Sequence, residues 1–296
     1  MSNLSMGKQQ LEWNSKYLTE LRDSNSLLGN VRALKHRLEE DGYILLRSFH
    51  DRNAVNRGRM DILQQLSAAG CLDPHAPMEE GVIGPENRAY GLDYKRMPAF
   101  LDVVNAPKLM SFFDELLGGK SITYDHKWIR AIQQGANTGA HYDRVYMGRG
   151  TQNLYTVWTP FGDIAKEQGT LAITLGSQHW DKVKNTYGQV DSDSGPVKDA
   201  LFSRDPYEIV DKFGGRWGTT DFEAGDIIMF GMFTMHASLD NNTNRYRLSS
   251  DTRYQLESEP KDMRWIGKDP IGHKGADSSN EHKQTMAEAR KSWGLD

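Results

Sequence analysis

Two histidines in this chain are followed at the second position by an aspartate, His141-Tyr142-Asp143 in "TGAHYDRVYMGRG" and His179-Trp180-Asp181 in "GSQHWDK". With 9 His and 25 Asp among 296 residues, roughly 0.8 such pairs arise by chance, so neither pair means much alone. The chemistry a pair offers is that of a metal ligand set. Two imidazoles and one carboxylate on one face of an iron leave three positions open for small molecules. Residues i and i+2 of an extended segment point to the same face, so His141 and Asp143 reach one ion if the chain is extended there. The third ligand must come from a distant strand. His236 qualifies, because it follows "AGDIIMFGMFTM", a Gly-Asp turn and then an apolar run. Arg247 lies eleven residues further on, in "RYRLSSDTRYQ". A guanidinium at such a position suits a carboxylate that meets its fork. Ser238 can add a hydroxyl to the same anion. Plainer readings stand beside these: a surface loop pair near Gly139 and Gly150, a satisfied core histidine at His236, and Arg245 and Arg253 as competitors of Arg247.

The elements that must position these residues change character along the chain. "LLGNVRALKHRLEEDGY" has apolar residues near a 3.6 period and stops at Asp41-Gly42. "YILLRSF" follows as a buried-strand candidate, and "AVNRGRMDILQQLSAAG" as a helix closed by Gly70. "MPAFLDVVNAPKLMSFFDELLGG" reads as two helical pieces parted near Ala106-Pro107. After residue 120 come short β-rich runs: "SITYDHKWIRAIQ", "NLYTVWTPFG", "GTLAITLG", "DIIMFGMFTMHAS" and "RYRLSSDTRYQ". Gly, Asn, Asp and Pro punctuate them as in a β-sandwich or barrel. Helices first, strands later and no βαβ alternation predict an α+β fold. Residues 184–215 interrupt the strands as a long insertion, expected to be a mobile lid over the site. The polar tail from Glu257 is expected to wrap the surface. His126 and Trp128, on one face with Tyr124, are pocket-wall candidates. Tyr155 and Trp158 read as sheet core or substrate wall. Arg144 and Arg149 are solvated charges by default, or partners for an anionic substrate group.

Composition narrows the partners. A formal net charge of −4 and the absence of a polybasic block give no reason to expect nucleic acid or an anionic membrane. No apolar run has the length of a membrane span, and the N-terminal residues lack the apolar stretch of a signal peptide, so a cytoplasmic protein is expected. The single cysteine, Cys71, excludes an internal disulfide and a multi-cysteine zinc site, and reads as a small buried hydrophobe. Oligomeric state is not legible.

Taken in order, the motifs resemble the phytanoyl-CoA dioxygenase (PhyH-like) family of Fe(II)/2-oxoglutarate oxygenases. His141 and Asp143 match its H-x-D. "EQGTLAITLGSQH", after the Trp158 strand, is similar to E-N-G-x-L-x-x-x-P-G-S-H, and "AGDIIMFGMFTMHAS" to P-G-D…F…H-x-S. Arg247 falls at the family's spacing from the distal histidine, and "EEDGYILLRSF" resembles its opening strand. In this alignment His179 falls on the G-S-H turn, so the metal pair is His141 and Asp143. Thr174-Leu175 replaces the usual proline of that turn, and Gln178 is extra.

The resemblance implies a double-stranded β-helix (jelly roll, cupin-like) with flanking, mostly N-terminal helices. It implies one domain over 1–296: a helical part to 120, a core over 121–256 and the tail over 257–296. His141, Asp143 and His236 would hold Fe(II), and Arg247 with Ser238 would bind the distal carboxylate of 2-oxoglutarate. The enzyme would consume O2 and 2-oxoglutarate, release succinate and CO2, and hydroxylate or otherwise oxidise a C–H bond of a small organic molecule. Halogenation is disfavoured, because Asp143 stands where halide would need a small residue. Two rivals remain: a zinc or manganese isomerase or hydrolase on the same ligands, and a non-catalytic jelly roll that binds a small molecule.

Overall fold

The computed structural model describes residues 4–88, 90–273 and 283–296. The helices α1 (Val31–Asp41), α2 (Arg52–Ala68), α3 (Pro98–Val104) and α4 (Pro107–Leu117) form where the apolar spacing predicts. Asn30 caps α1 by accepting the Ala33 N–H, and Gly42 ends it with φ +80°, the left-handed turn that the Asp41-Gly42 stop implied. Pro107 opens α4 at a position where its missing N–H costs nothing. Four further helices follow: α5 (Arg144–Met147), α6 (Asp181–Asn185), α7 (Pro206–Phe213) and α8 (Met286–Ser292).

The strands are β1 (Ser5–Met6), β2 (Gln9–Gln10), β3 (Leu18–Glu20), β4 (Tyr43–Leu46), β5 (Ser121–Thr123), β6 (Trp128–Ile132), β7 (Tyr155–Pro160), β8 (Leu171–Thr174), β9 (Trp217–Thr219), β10 (Ile227–Gly231), β11 (His236–Ser238) and β12 (Arg247–Leu256). β1 and β2 pair only with each other. The large sheet runs β4-β10-β7-β12-β5, with β6 also on β12, and the small one runs β11-β8-β9-β3. All these pairs are antiparallel except β3 with β9. This is the double-stranded β-helix.

Side-chain alternation explains how the sheets pack. Tyr43, Leu45, Trp158, Ile228 and Phe230 of the large sheet meet Leu171 and Ile173 of the small one in the core between them. From the same strands, Ile44, Leu46, Val157, Ile227 and Met229 point the other way, onto Leu109, Phe113 and Leu116 of α4. Each of those fully buried apolar side chains contributes about 1.5–3 kcal/mol. Cys71 is buried among apolar neighbours, as expected.

Three expectations change. The run from Ser121 is two strands, because the chain leaves the sheet between Thr123 and Trp128, although Tyr124 and Trp128 still pack into one cluster with Trp265. β3 and β9 carry no sequence signal, since three residues are too few to show a period. Residues 184–215 are not a free flap. Their Tyr187, Val190, Phe202, Ile209 and Val210 are buried against the outer side of the small sheet with Met286 and Ala289 of α8. Residues 274–282 of the tail lie outside the described residues.

An ion pair reinforces that packing. Arg290 of α8 grips Glu208 of α7 through both carboxylate oxygens, at 2.9 and 2.5 Å. This hydrogen bonding holds the Glu208 carboxyl down to about 2, against an ordinary value of 4.5. A carboxylate whose folded pKa is depressed stabilises the fold above its unfolded pKa, and that contribution fades as pH falls through the folded value. Glu208→Gln is therefore expected to lower the melting temperature at pH 7, with the gap to wild type closing between pH 4.5 and about 2. Thermal unfolding of both proteins across that range checks it, and a gap independent of pH would contradict it.

Candidate metal centre

The two sequence-distant histidines are backbone partners. His141 and His236 form an antiparallel bridge, each N–H donating to the other's carbonyl, at 3.0 and 3.1 Å. Paired residues in such a bridge present side chains on one face, so the imidazole rings lie 4.2 Å apart between centroids. The sequence supports each flank. β11 pairs with β8 on one side, and residues 202–203 bond to Ala140 on the other, so the long insertion holds the segment that carries His141. At the foot of β10, Gly225 has φ +110° and a Cβ there would meet the His50 carbonyl at 2.8 Å. Only glycine fits that Gly-Asp turn. Asp226 then accepts from the Ser48 and Glu223 N–H groups, which fixes where β10 starts.

Asp143 arrives differently from the expectation. Its φ and ψ are −61° and −28°, so the chain has left the extended conformation and turns into α5. The carboxylate still converges on the imidazoles: Oδ1 lies 3.8 Å from both His141 Nε2 and His236 Nε2. All three ligand atoms lie within 4.8 Å of one another, and all three residues are buried.

The hydrogen bonds define which atoms face the common point. His141 Nδ1 lies 2.9 Å from the Gly139 carbonyl and His236 Nδ1 lies 3.0 Å from that of Thr234. A carbonyl only accepts, so both Nδ1 atoms carry the proton and both Nε2 lone pairs are free. Burial, with the neighbouring His236, pushes the His141 imidazole down to about 3, so it is neutral at physiological pH. Burial alone would raise the Asp143 pKa, but the Arg253 guanidinium beside it, helped by the Thr156 hydroxyl, outweighs burial and holds the group ionised. Arg253 donates to Asp143 Oδ1 at 3.1 Å, and Thr156 Oγ1 donates to Oδ2. Two imidazoles and one carboxylate, buried and pre-oriented, fit a divalent iron.

Arg247 and Ser238 line the same cavity as the three residues, together with Trp158, Leu171, Arg130 and Asp251. Arg247 is 2% exposed, its Nη1 donates to Ser249 Oγ, and its buried Nε has no partner. Burial pushes this guanidinium down to about 9, partly offset by Asp251, and it remains protonated at neutral pH. A buried cation without a carboxylate is costly unless an anion joins it. The Ser238 hydroxyl accepts the Thr138 N–H at 2.9 Å and keeps its own proton to donate.

The competing residues lie elsewhere. Arg245 precedes β12 and pairs with Glu80 at 2.6 Å on the surface. Arg253 is on Asp143, a role the sequence reading missed. His179 is bonded to the Glu39 carbonyl at 3.0 Å and Asp181 is exposed, so the second H-x-D is not in the site. Its turn still matters, because Ser177 Oγ accepts the Met235 N–H next to His236.

Of the pocket-wall candidates, Trp158 lines the cavity while Tyr155, one residue out of phase, faces Leu116 and Leu117 on the helix side. Trp128 lies under the Arg253 guanidinium at 4.8 Å, and His126 packs against Trp128 and Trp265 at 4.4 and 5.3 Å. Neither is among the residues lining the cavity. Arg144 donates its N–H to the Met232 carbonyl and lies outside the cavity, and Arg149 is paired with Asp191 at 2.7 Å. Thr156, Arg130, Asp251 and Arg253 were missed. Alternation along β7 and β12 is the signal that would have found Thr156, Asp251 and Arg253.

Comparison with known proteins agrees with this geometry. Residues 38–249 match the phytanoyl-CoA dioxygenase (PhyH) family. The chain is 24% identical over 260 residues, 81% of its length and 87% of the relative's, to the 1-deoxypentalenic acid 11-beta-hydroxylase of Streptomyces exfoliatus. Its fold is similar to the epimerase SnoN in complex with Fe3+, alpha ketoglutarate and nogalamycin RO, with a TM-score of 0.55, 18% identity and coverage of 86% of this chain and 97% of that one. It is also similar to HygX from Streptomyces hygroscopicus with nickel and 2-oxoglutarate bound, with a TM-score of 0.50, 13% identity and coverage of 77% and 87%. The family match and the hydroxylase relative favour the Fe(II)/2-oxoglutarate oxygenase over the two rivals. The chain belongs to the phytanoyl-CoA dioxygenase family and is a non-haem Fe(II)/2-oxoglutarate-dependent dioxygenase.

Proposed function

We propose that His141 Nε2, His236 Nε2 and an Asp143 carboxylate oxygen hold the iron, and that Arg247 and Ser238 bind the distal carboxylate of 2-oxoglutarate. The observation that carries this reading is Arg247. It is a buried guanidinium with an unpartnered Nε, lining the cavity of the His-Asp-His set. When bound, iron and 2-oxoglutarate supply the oxidising chemistry, with one atom of O2 entering succinate as CO2 leaves and the other available to the substrate. The chain's own part is to fix and orient. The Gly139 and Thr234 carbonyls set the imidazole tautomers, and Thr156 and Arg253 hold the carboxylate. Arg247 gives the dicarboxylate one direction, and Trp158 with Leu171 supplies apolar wall that excludes water.

The substrate is a small organic molecule, and hydroxylation of a C–H bond is the outcome that the hydroxylases among its relatives support. The chain acts as one oxygenase domain in the cytoplasm, with no nucleic-acid or membrane partner. The net charge of −4 supports this. Among the described residues no helix is long and apolar enough to cross a membrane. Anaerobic addition of Fe(II) and 2-oxoglutarate, read as a metal-to-ligand charge-transfer band, tests the cofactor set, and a metabolite screen for succinate release then finds the substrate. Ser238→Ala is expected to weaken 2-oxoglutarate by about 0.5–1.5 kcal/mol, the contribution of one neutral hydrogen bond. Titration of the same band checks it, and an unchanged affinity removes Ser238 from the carboxylate site.

A further inference from the structure

Four alternate residues of β12 turn toward the metal side, namely Arg247, Ser249, Asp251 and Arg253. Arg247 awaits an anion, Ser249 holds Arg247, and Arg253 holds Asp143. Asp251 is engaged by Arg130, which sits on β6 directly opposite Ser249 in the strand register. The contact is through one edge only. Arg130 Nε donates to Asp251 Oδ2 at 2.6 Å, and among the described residues neither of its terminal amino groups has a hydrogen-bond partner. Arg130 lines the cavity that also holds His141, Asp143, His236 and Arg247. Its side chain is 35% exposed, so its free edge is open rather than packed away.

This is an unusual way to leave a guanidinium. Its planar fork matches a carboxylate with two parallel N–H donors, and Asp251 fixes the plane while leaving that pair of donors unused. β12 acts as a ruler between the two arginines. Arg247 lies at its start, and the Arg130–Asp251 pair lies between Arg247 and Arg253, the residue that grips Asp143. A dicarboxylate held by Arg247 in this cavity would share its lining with Arg130 and the three ligand residues.

We propose that Arg130 is a second carboxylate-binding residue of this site, taking the 1-carboxylate of 2-oxoglutarate on its Nη edge, with Asp251 as the positioning residue that sets its plane. The proposal rests on the assignment of Arg247 to the 5-carboxylate. The two arginines then read the two ends of one molecule, and they are separable by a 2-oxo acid that lacks the distal carboxylate.

The test is anaerobic titration of the Fe(II) protein with 2-oxoglutarate and with 2-oxopentanoate, read by the charge-transfer band. Arg130→Lys keeps a cation on Asp251 and so avoids orphaning a buried carboxylate, but it removes the fork. Arg130→Gln removes the charge as well. Stoichiometric Fe(II) binding confirms that each variant retains the site. Both variants are expected to weaken both ligands alike, about tenfold or more, the loss of charge-assisted hydrogen bonds. Arg247→Lys is expected to weaken 2-oxoglutarate alone. Arg130 variants that bind both ligands like wild type overturn the proposal, as does a loss confined to 2-oxoglutarate. Wild-type 2-oxoglutarate binding by Arg247→Lys sinks the Arg247 assignment instead, and the 2-oxopentanoate titration still reports on Arg130 by itself.

Discussion

His141→Ala or His236→Ala is expected to abolish stoichiometric Fe(II) binding, whereas His179→Ala keeps it. Removing an imidazole leaves a two-ligand site. Loss of an outer partner of a ligand already costs about 10–100-fold in metal affinity, so loss of the ligand itself costs more. The fold should survive, because the bridge between residues 141 and 236 is made by backbone groups that alanine retains. The imidazoles are buried, with their protons committed to carbonyls, so no other side chain replaces the missing Nε2. His179 is remote by contrast, bonded to the Glu39 carbonyl. Anaerobic equilibrium dialysis with Fe(II) measures all three variants. Metal lost from His179→Ala and kept by His141→Ala would reverse the assignment.

Arg247→Lys is expected to raise the apparent constant for 2-oxoglutarate by roughly 30-fold or more. A lysine ammonium cannot reproduce the two parallel donors of the fork. Losing one partner of a buried charge pair costs about 2–5 kcal/mol, and each 1.4 kcal/mol is tenfold. Iron affinity should barely move, because Arg247 is not a ligand. Arg245→Lys should do little, since that residue pairs with Glu80 on the surface. The charge-transfer titration distinguishes these outcomes. An Arg247→Lys protein that titrates like wild type would remove the main support for Arg247 as the anchor of the cosubstrate.

Much of this site was legible because it rests on local spacing. The H-x-D pair, the apolar run that ends at His236 and the eleven-residue step to Arg247 are all read along the chain. The apolar run rests on an element whose period shows in the residues, whereas the H-x-D pair is legible as spacing even though Asp143 turns into α5. The helices of the first third were legible for the same reason, with α1 stopping at Gly42 and α4 starting at Pro107. The two H-x-D pairs are indistinguishable as local sequence. Only their order among the other motifs favoured His141, and only the fold shows His141 bridged to His236 while His179 faces Glu39.

The supporting contacts were decided by tertiary structure alone. Arg253 reaches Asp143, Thr156 reaches the other carboxylate oxygen, and Arg130 meets Asp251 across partners 110, 13 and 121 residues apart. A one-residue change of phase separates Trp158 in the cavity from Tyr155 outside it only once the sheet has two differently occupied faces. The insertion over 184–215 looked like a lid because its polar, glycine-containing sequence hides apolar residues without a regular period. Those residues acquire a place to bury only when the small sheet and α8 exist. The sequence by itself determined which donors this protein carries and roughly which strands bear them. Which donors meet was set by strand register, because a cross-strand neighbour is near in space whatever its distance along the chain.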